Sequence, residues 1–467
     1  MDFTQVYRGR SATLSPDGNL LLASSDGRIV VRNTKTFQII HTWSLDIDSS
    51  APAPVGAQHR HLPSGQDSNT NNSVQCAWSH DSRYVLAARG NMVLVFDATN
   101  EDWNASIQVG MEGLTRALWA PDGRTILCFS EWALRVTVWS LTTGRSTYIQ
   151  FPKFAGRGYS FSPNGQYFIL AERHKSRDTI GVYDVREEYK MLRHFGLPTS
   201  SLASFALSPV GDRLALWDGP LEYTLHMINL SGQVLGTFTP EPDPGQGIRC
   251  VAWHPSGRLV AVGGWDDKFH VLDVLTCRPI VSFDLRARLG GDVALWREPA
   301  GWLETTHGRG LISYDRISTP TSIKVRTSGG PNGSTTGGVL QMEWNTAGSL
   351  LLVRWDHCAE AVHVYEFPEA PREFRPRLRT VIEHRAAIRN ARWEGAKGES
   401  IGMCAGGGAV YVWRDSNADW VGDEEIAECI GIPAKNFATL DAQWGPDGRS
   451  LVLQDRDTFA CAFVVDE

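Results

Sequence analysis

The sequence contains no C-x-x-C pair. Its eight cysteines (76, 128, 250, 277, 358, 404, 429 and 461) stand singly, which argues against a zinc ribbon or a disulfide framework and leaves reduced, mostly buried thiols. No uninterrupted apolar stretch approaches the roughly 18 residues that cross a bilayer. The opening MDFTQVYRGRSATLSPDG lacks the charged start and apolar run of a secretory signal, so a soluble, non-secreted protein is expected. A basic excess is also missing: 45 Lys and Arg against 52 Asp and Glu give a net charge of −7, which sets up no global field for a phosphate backbone or an anionic membrane. The 45 Gly and 23 Pro among 467 residues are too few for a collagenous or low-complexity chain and belong to turns.

Recognisable catalytic motifs are missing too. There is no H-E-x-x-H and no His with another His four residues on, so the helical zinc pair is absent. There is no G-x-S-x-G nucleophile elbow, no G-x-x-x-x-G-K-[ST] phosphate loop and no G-x-G-x-x-G opening a helix. No catalytic residue, metal or cofactor is expected, and His59 and His61, in a polar stretch, read as incidental.

What is present is a repeat. One unit recurs nine times, beginning at residues 12, 74, 115, 158, 204, 248, 339, 388 and 440. Each copy has a strand ending in a large apolar residue (Leu14, Trp78, Trp119, Phe161, Leu207, Trp253, Trp344, Trp393, Trp444), a turn of the S-P-D-G kind, a second strand, a short connection and a third strand. The turn has a cause: Pro presets φ, Asp bonds back to the backbone, and Gly supplies positive φ. Helical periodicity is nearly absent. Spacings of 41, 42, 46 and 46 residues between uninterrupted markers match a four-stranded propeller blade. The expected fold is therefore all-β, a WD40-type β-propeller over residues 1–467. Nine blades in one ring are expected, closed by an N-terminal strand around Phe3 to Tyr7 that completes the last blade. Two smaller propellers are the alternative. Residues 46–73 read as a polar disordered insertion. Residues 286–338 read as an inter-blade insertion holding an extra hairpin over 292–315 and a Gly-rich linker.

The connections between second and third strands place an aromatic beside a carboxylate in four copies: Glu131 with Trp132, Trp217 with Asp218, Trp265 with Asp266 and Asp267, and Trp355 with Asp356. Equivalent connections share a face of a propeller, so these pairs are candidates for a docking surface that takes a basic or amphipathic partner segment, since interface hot spots are rich in Trp, Tyr and Arg. The competing reading is turn hydrogen bonding by the acids and inter-blade packing by the Trp. The stretch 371–393 carries seven Arg against two Glu, facing an acidic 415–428 across the same blade; a solvated strand or an acidic partner's contact are the two readings.

Longer stretches carry a family resemblance: MDFTQVYRGRS, LRVTVWSL at 134–141, YIQFPK at 148–153, ILAERHKSRD at 169–178, MLRHF at 191–195, LALWDGPLEYTLHMINLSG at 214–232 and GIRCVAWHPSGRLVAVGGWDDK at 247–268. In these the chain resembles the WD-repeat-containing protein eight family, and the 46–73 insertion fits a fungal member. The resemblance implies a non-enzymatic scaffold at the spindle pole body, centrosome or centriolar satellite. It would bind a coiled-coil microtubule-anchoring protein of the afadin- and alpha-actinin-binding type and, through it, a kinesin-14 motor, tethering microtubule minus ends. The family's recurring motifs fall on Glu172, Arg173, Trp217, Asp218, Leu221, Glu222 and Tyr223, where binding and blade building are both open. The competing functions are a hydrolase with a channel-centred site, which needs clustered carboxylates or His of perturbed pKa, and an RNA- or ribosome-binding propeller, which needs a continuous basic face.

Overall fold

Each repeat folds as an antiparallel sheet because two of its strands are apolar on both faces. The second strand of blade three, Thr125–Ser130, and that of blade seven, Leu350–Trp355, are buried at every residue, as a strand is when neighbouring sheets cover both of its faces about 10 Å away. Burial falls toward the outer edge: six of seven residues in the fourth strand of blade four, Lys190–Gly196, are exposed.

The computed structural model describes residues 1–45, 74–326, 337–368, 374–415 and 425–464. The anticipated 46–73 insertion and most of the Gly-rich linker lie outside these. Nine blade sheets are present, so the fold is an all-β WD40-type β-propeller with nine blades. The chain divides into two compact units. Arg8–Arg157 holds blades one to three, over residues 10–44, 75–108 and 114–150. Met1–Tyr7 with Gly158–Glu467 holds the rest: 159–196, 202–238, 248–284, 339–383, 390–431, and 441–463 completed by residues 2–3.

In that last blade the N-terminal strand Asp2–Phe3 pairs antiparallel with the third strand Thr458–Phe463. Thr4 tightens the join, its N–H donating to the Cys461 carbonyl (2.9 Å) and its Oγ1 accepting from the Cys461 N–H (3.0 Å). This strand order was anticipated from the missing fourth strand of the ninth repeat.

The residue opening each turn is hydrogen-bonded rather than merely polar. Ser15, Ser79 and Ser162 each accept from the backbone N–H five residues on, at 2.8–2.9 Å, and each hydroxyl donates to the Asp or Asn two residues on. Glycine is required later in the turn for two reasons. At Gly257 φ is 69°, and a Cβ there would lie 2.8 Å from Val210 in the preceding blade.

The large first-strand residues do more than fill space. Trp78 and Trp119 donate their indole N–H to the carbonyls of Thr13 and Ala77 at 3.3 and 3.2 Å. In the larger unit Trp253, Trp344, Trp393 and Trp444 donate to Ala206, Ala252, Glu343 and Arg392 at 2.9–3.3 Å. Each acceptor is the residue just before the preceding blade's own marker. Every Trp marker therefore pins its blade to the one before, in a single register.

Within the 286–338 insertion, Ala294–Arg297 pairs antiparallel with Asp315–Ile317, so the ends of the expected extra hairpin do meet. Ala294–Arg297 joins blade seven in parallel with its outer strand Arg377–Glu383, while Gly310–Ser313 joins the outer strand of blade eight, Ile426–Gly431. The paired ends extend the edge of blade seven, and the strand between them completes the edge of blade eight. All eight cysteines are free, six of them buried, and burial pushes Cys404 up to about 11 and Cys128 up to about 12, which keeps them protonated thiols.

Removing one inter-blade donor tests the register. Trp253→Phe and Trp393→Phe should each cost about 1–3 kcal/mol, the range for leaving a part-buried carbonyl without its donor. Equilibrium urea unfolding measures this, and an unshifted midpoint would discount the bond.

Candidate protein-docking surface

The four aromatic and acidic pairs do not share one environment. Trp355 is 0% exposed and packs into the core between blades six and seven, its ring 5.8 Å from that of Phe269. Trp217 is likewise buried, in the core of blades five and six, and its neighbour Asp218 accepts from the Ser201 N–H at 2.9 Å. For these two the packing alternative holds: neither indole is available to a partner. The reason is register, since both close strands that are apolar on both faces.

Trp265 is half-buried beneath the Arg249 guanidinium, 4.3 Å above its ring. The same Arg249 bonds Asp356 Oδ2 at 2.9 Å and the Gly337 carbonyl at 2.7 Å. Asp267 accepts from the Gly338 N–H at 2.7 Å and bonds His357. Arg249, Asp267 and Asp356 thus tie together the connections of blades six and seven, while burial raises the pKa of Asp266. Among the family-motif residues, Tyr223 is buried, whereas Leu221 (82% exposed) and Glu222 project outward, Glu222 accepting from Ser200 Oγ at 3.0 Å. Glu172 is fully buried, and Arg173 is exposed, 3.8 Å from Asp178.

Trp132 is the exception. It lies in the connection of blade three, 86% exposed, in a left-handed backbone conformation with φ 62°. An aromatic pays steric strain there and gains nothing from burial. The turn is held open from below: the Ser130 hydroxyl bonds both the carbonyl and the N–H of Arg135 at 2.9 Å, and Gly113 leaves room for the Glu131 side chain, which any Cβ there would strike. Phe151 repeats the pattern, 51% exposed at φ 61°, its N–H donating to the Leu134 carbonyl at 3.1 Å. Around them Met111, Leu134 and Tyr148 are also exposed.

Charge rims this apolar corner. Arg135 pairs with Glu112 at 2.7 Å and lies 4.6 Å from the Tyr148 ring centroid, while Lys153 and Arg157 sit over Phe154. Exposed aromatics and Met inside a polar, Arg-containing rim are the composition of a protein interface. The sequence signalled Glu131 and Trp132; it gave no sign of Met111, Leu134, Tyr148 and Phe151, because only the fold brings their three connections to one corner.

A cleft of about 740 Å³ is lined by residues of blades seven, eight and nine. Its charged lining is Glu343, Arg354, Arg389, Arg392 and Asp441. Burial raises the pKa of Glu343, and no hydroxyl, thiol or imidazole lines the cleft, whose carboxylates are Glu343 and Asp441. Within the arginine-dense stretch, Arg379 bonds Asp415 and Glu425 at 2.5 and 2.6 Å, and Arg377 bonds Glu366 at 3.0 Å.

Comparison with known proteins agrees with this architecture. The family model for the WD domain, G-beta repeat, matches residues 232–273, which run from the last strand of blade five through the third of blade six. The chain is 28% identical to the WD repeat-containing protein WRAP73 of Mus musculus, over 99% of this chain and 96% of that protein. It is 23% identical to an uncharacterized WD repeat-containing protein of Schizosaccharomyces pombe, over 59% of this chain and 55% of that one. Among solved structures, the C-terminal WD40 domain of Sif2 is similar at 12% identity and TM-score 0.49, covering 93% of this chain and 98% of that one.

Burial separates the roles of the two kinds of Trp. Trp132→Ala should leave stability within about 0.5 kcal/mol, as for other surface changes, whereas Trp355→Ala should cost about 3–5 kcal/mol through the cavity it opens. Thermal melts of the two variants decide this; equal losses would place Trp132 in the core's account.

Proposed function

From a WD-repeat β-propeller scaffold built for protein–protein interaction, we propose that the blade-three corner is the docking surface and that its partner is a coiled-coil microtubule-anchoring protein of the afadin- and alpha-actinin-binding type. The observation that carries the surface is the pair of exposed aromatics, Trp132 and Phe151, held in left-handed backbone. Strain and exposure together are retained where a contact repays both. The identity of the partner draws on the family resemblance of the sequence stretches quoted above.

In this reading the protein acts without catalysis. It brings the coiled coil, and indirectly a kinesin-14 motor, to the spindle pole body or microtubule organising centre, and so tethers microtubule minus ends there. A coiled coil suits the corner chemically: it presents apolar seam residues flanked by Glu and Lys positions, which match an aromatic centre with a mixed-charge rim.

Direct binding between the purified chain and a purified coiled-coil protein of this type tests the proposal. Trp132→Ala and Phe151→Ala should each weaken the complex about tenfold or more, with melting temperature unchanged. If the unmodified chain does not bind, the partner is wrong; if it binds and both variants bind equally well, the surface is wrong.

A further inference from the structure

A second site lies within blade four and is independent of the docking corner. Glu172 and His174 sit two residues apart on the second strand, Tyr167–His174, and so share a face. His194 belongs to the outer strand, Lys190–Gly196, with the third strand, Arg177–Asp184, between them. Normally a side chain of the middle strand would fill that gap. Here Gly181 occupies it, paired with Leu170 on one side and His194 on the other. A Cβ at Gly181 would lie 2.2 Å from Glu172 Oε1 and 2.7 Å from Tyr183 Cε2. Its backbone does not call for glycine through a positive φ; the space does.

Across this gap three ligand atoms converge. His174 Nε2 is 2.9 Å and His194 Nε2 3.3 Å from the same carboxylate oxygen, Glu172 Oε2, and the three donors lie within 4.8 Å of one another. The rings meet edge to face, 4.9 Å apart. The other carboxylate oxygen is not idle: the Tyr183 hydroxyl donates to Glu172 Oε1. His194 Nε2 is also 3.1 Å from Thr179 Oγ1. A carboxylate that is fully buried while both imidazoles remain about one-third exposed forms a rooted base with an open mouth.

We propose that Glu172, His174 and His194 bind a divalent transition-metal ion of the zinc class. Two imidazoles and one carboxylate are a donor set suited to zinc. A tetrahedral ion with bonds of about 2.0–2.1 Å holds its ligands about 3.3 Å apart, so the two measured separations already sit near the required values. Tyr183 acts as the outer partner that fixes the carboxylate's orientation. Three strands of one sheet supply all of these groups, which is the rigid support a metal site needs. The two histidines' exposure leaves an entry path and a fourth position for water.

The test uses the full chain, stripped with EDTA and titrated with zinc chloride by calorimetry, with cobalt(II) absorption reporting inner-sphere coordination. One ion per chain is expected. His174→Ala and His194→Ala should each lower affinity at least tenfold, Tyr183→Phe should lower it about 10- to 100-fold, and the double histidine variant should show no saturable uptake. Each histidine also bonds the buried Glu172 carboxylate, so melts of these variants in EDTA measure the cost to folding separately from the loss of ligation. The proposal is overturned by absence of saturable uptake in the parent chain or by uptake that survives in the double variant.

Discussion

The architecture depends on one donated hydrogen. An indole N–H from the first strand of a blade reaches the carbonyl preceding the equivalent residue of the blade before it, in six of the nine blades. An apolar contact alone would let adjacent sheets slide, because dispersion has no preferred registry. A directional bond between a rigid side chain and a backbone oxygen does not permit that. Leu14, Phe161 and Leu207 lack the donor.

With the inner layers committed in this way, chemical variety is confined to the strand connections and the outer strands. That explains why residues with a similar sequence signature have different fates. Trp355 is itself the last residue of a fully buried strand, and its ring lies in the core. At Trp132 two consecutive left-handed residues, Trp132 and Ala133, turn the chain outward before the next strand begins. The choice is made by backbone conformation, and the side-chain pair Trp plus acid is common to both.

This also sets how much the sequence could disclose. The blade count, the turn chemistry and the completing strand were legible because each depends on a pattern a few residues long and repeated nine times. The addition of the 292–315 segment to the edges of blades seven and eight was not, since edge pairing is a long-range event with no local mark. The docking corner was half legible: Trp132 stands out by its neighbour Glu131, whereas Met111 and Phe151 are ordinary until three connections meet. Glu172, His174 and His194 were hidden for the same reason. Their separations of two and twenty residues fit no helical metal motif, and the glycine that joins them looks like any other strand glycine until its neighbours are measured.

The pairing of Asp2 and Phe3 with the strand Thr458–Phe463 has a consequence in time. A chain made from its N-terminus must hold its first residues in waiting while everything else is synthesised, since Thr4 bonds a residue 457 positions away. Earlier blades can form on local contacts as they emerge. The third strand of the ninth sheet, however, keeps an open edge until Asp2 and Phe3 pair with it, and such edges recruit other chains. Contacts of this sequence span are slow to form. The interval before the N-terminal strand is captured is therefore when the molecule is most exposed to misassembly, and when a chaperone that shields that edge would matter most.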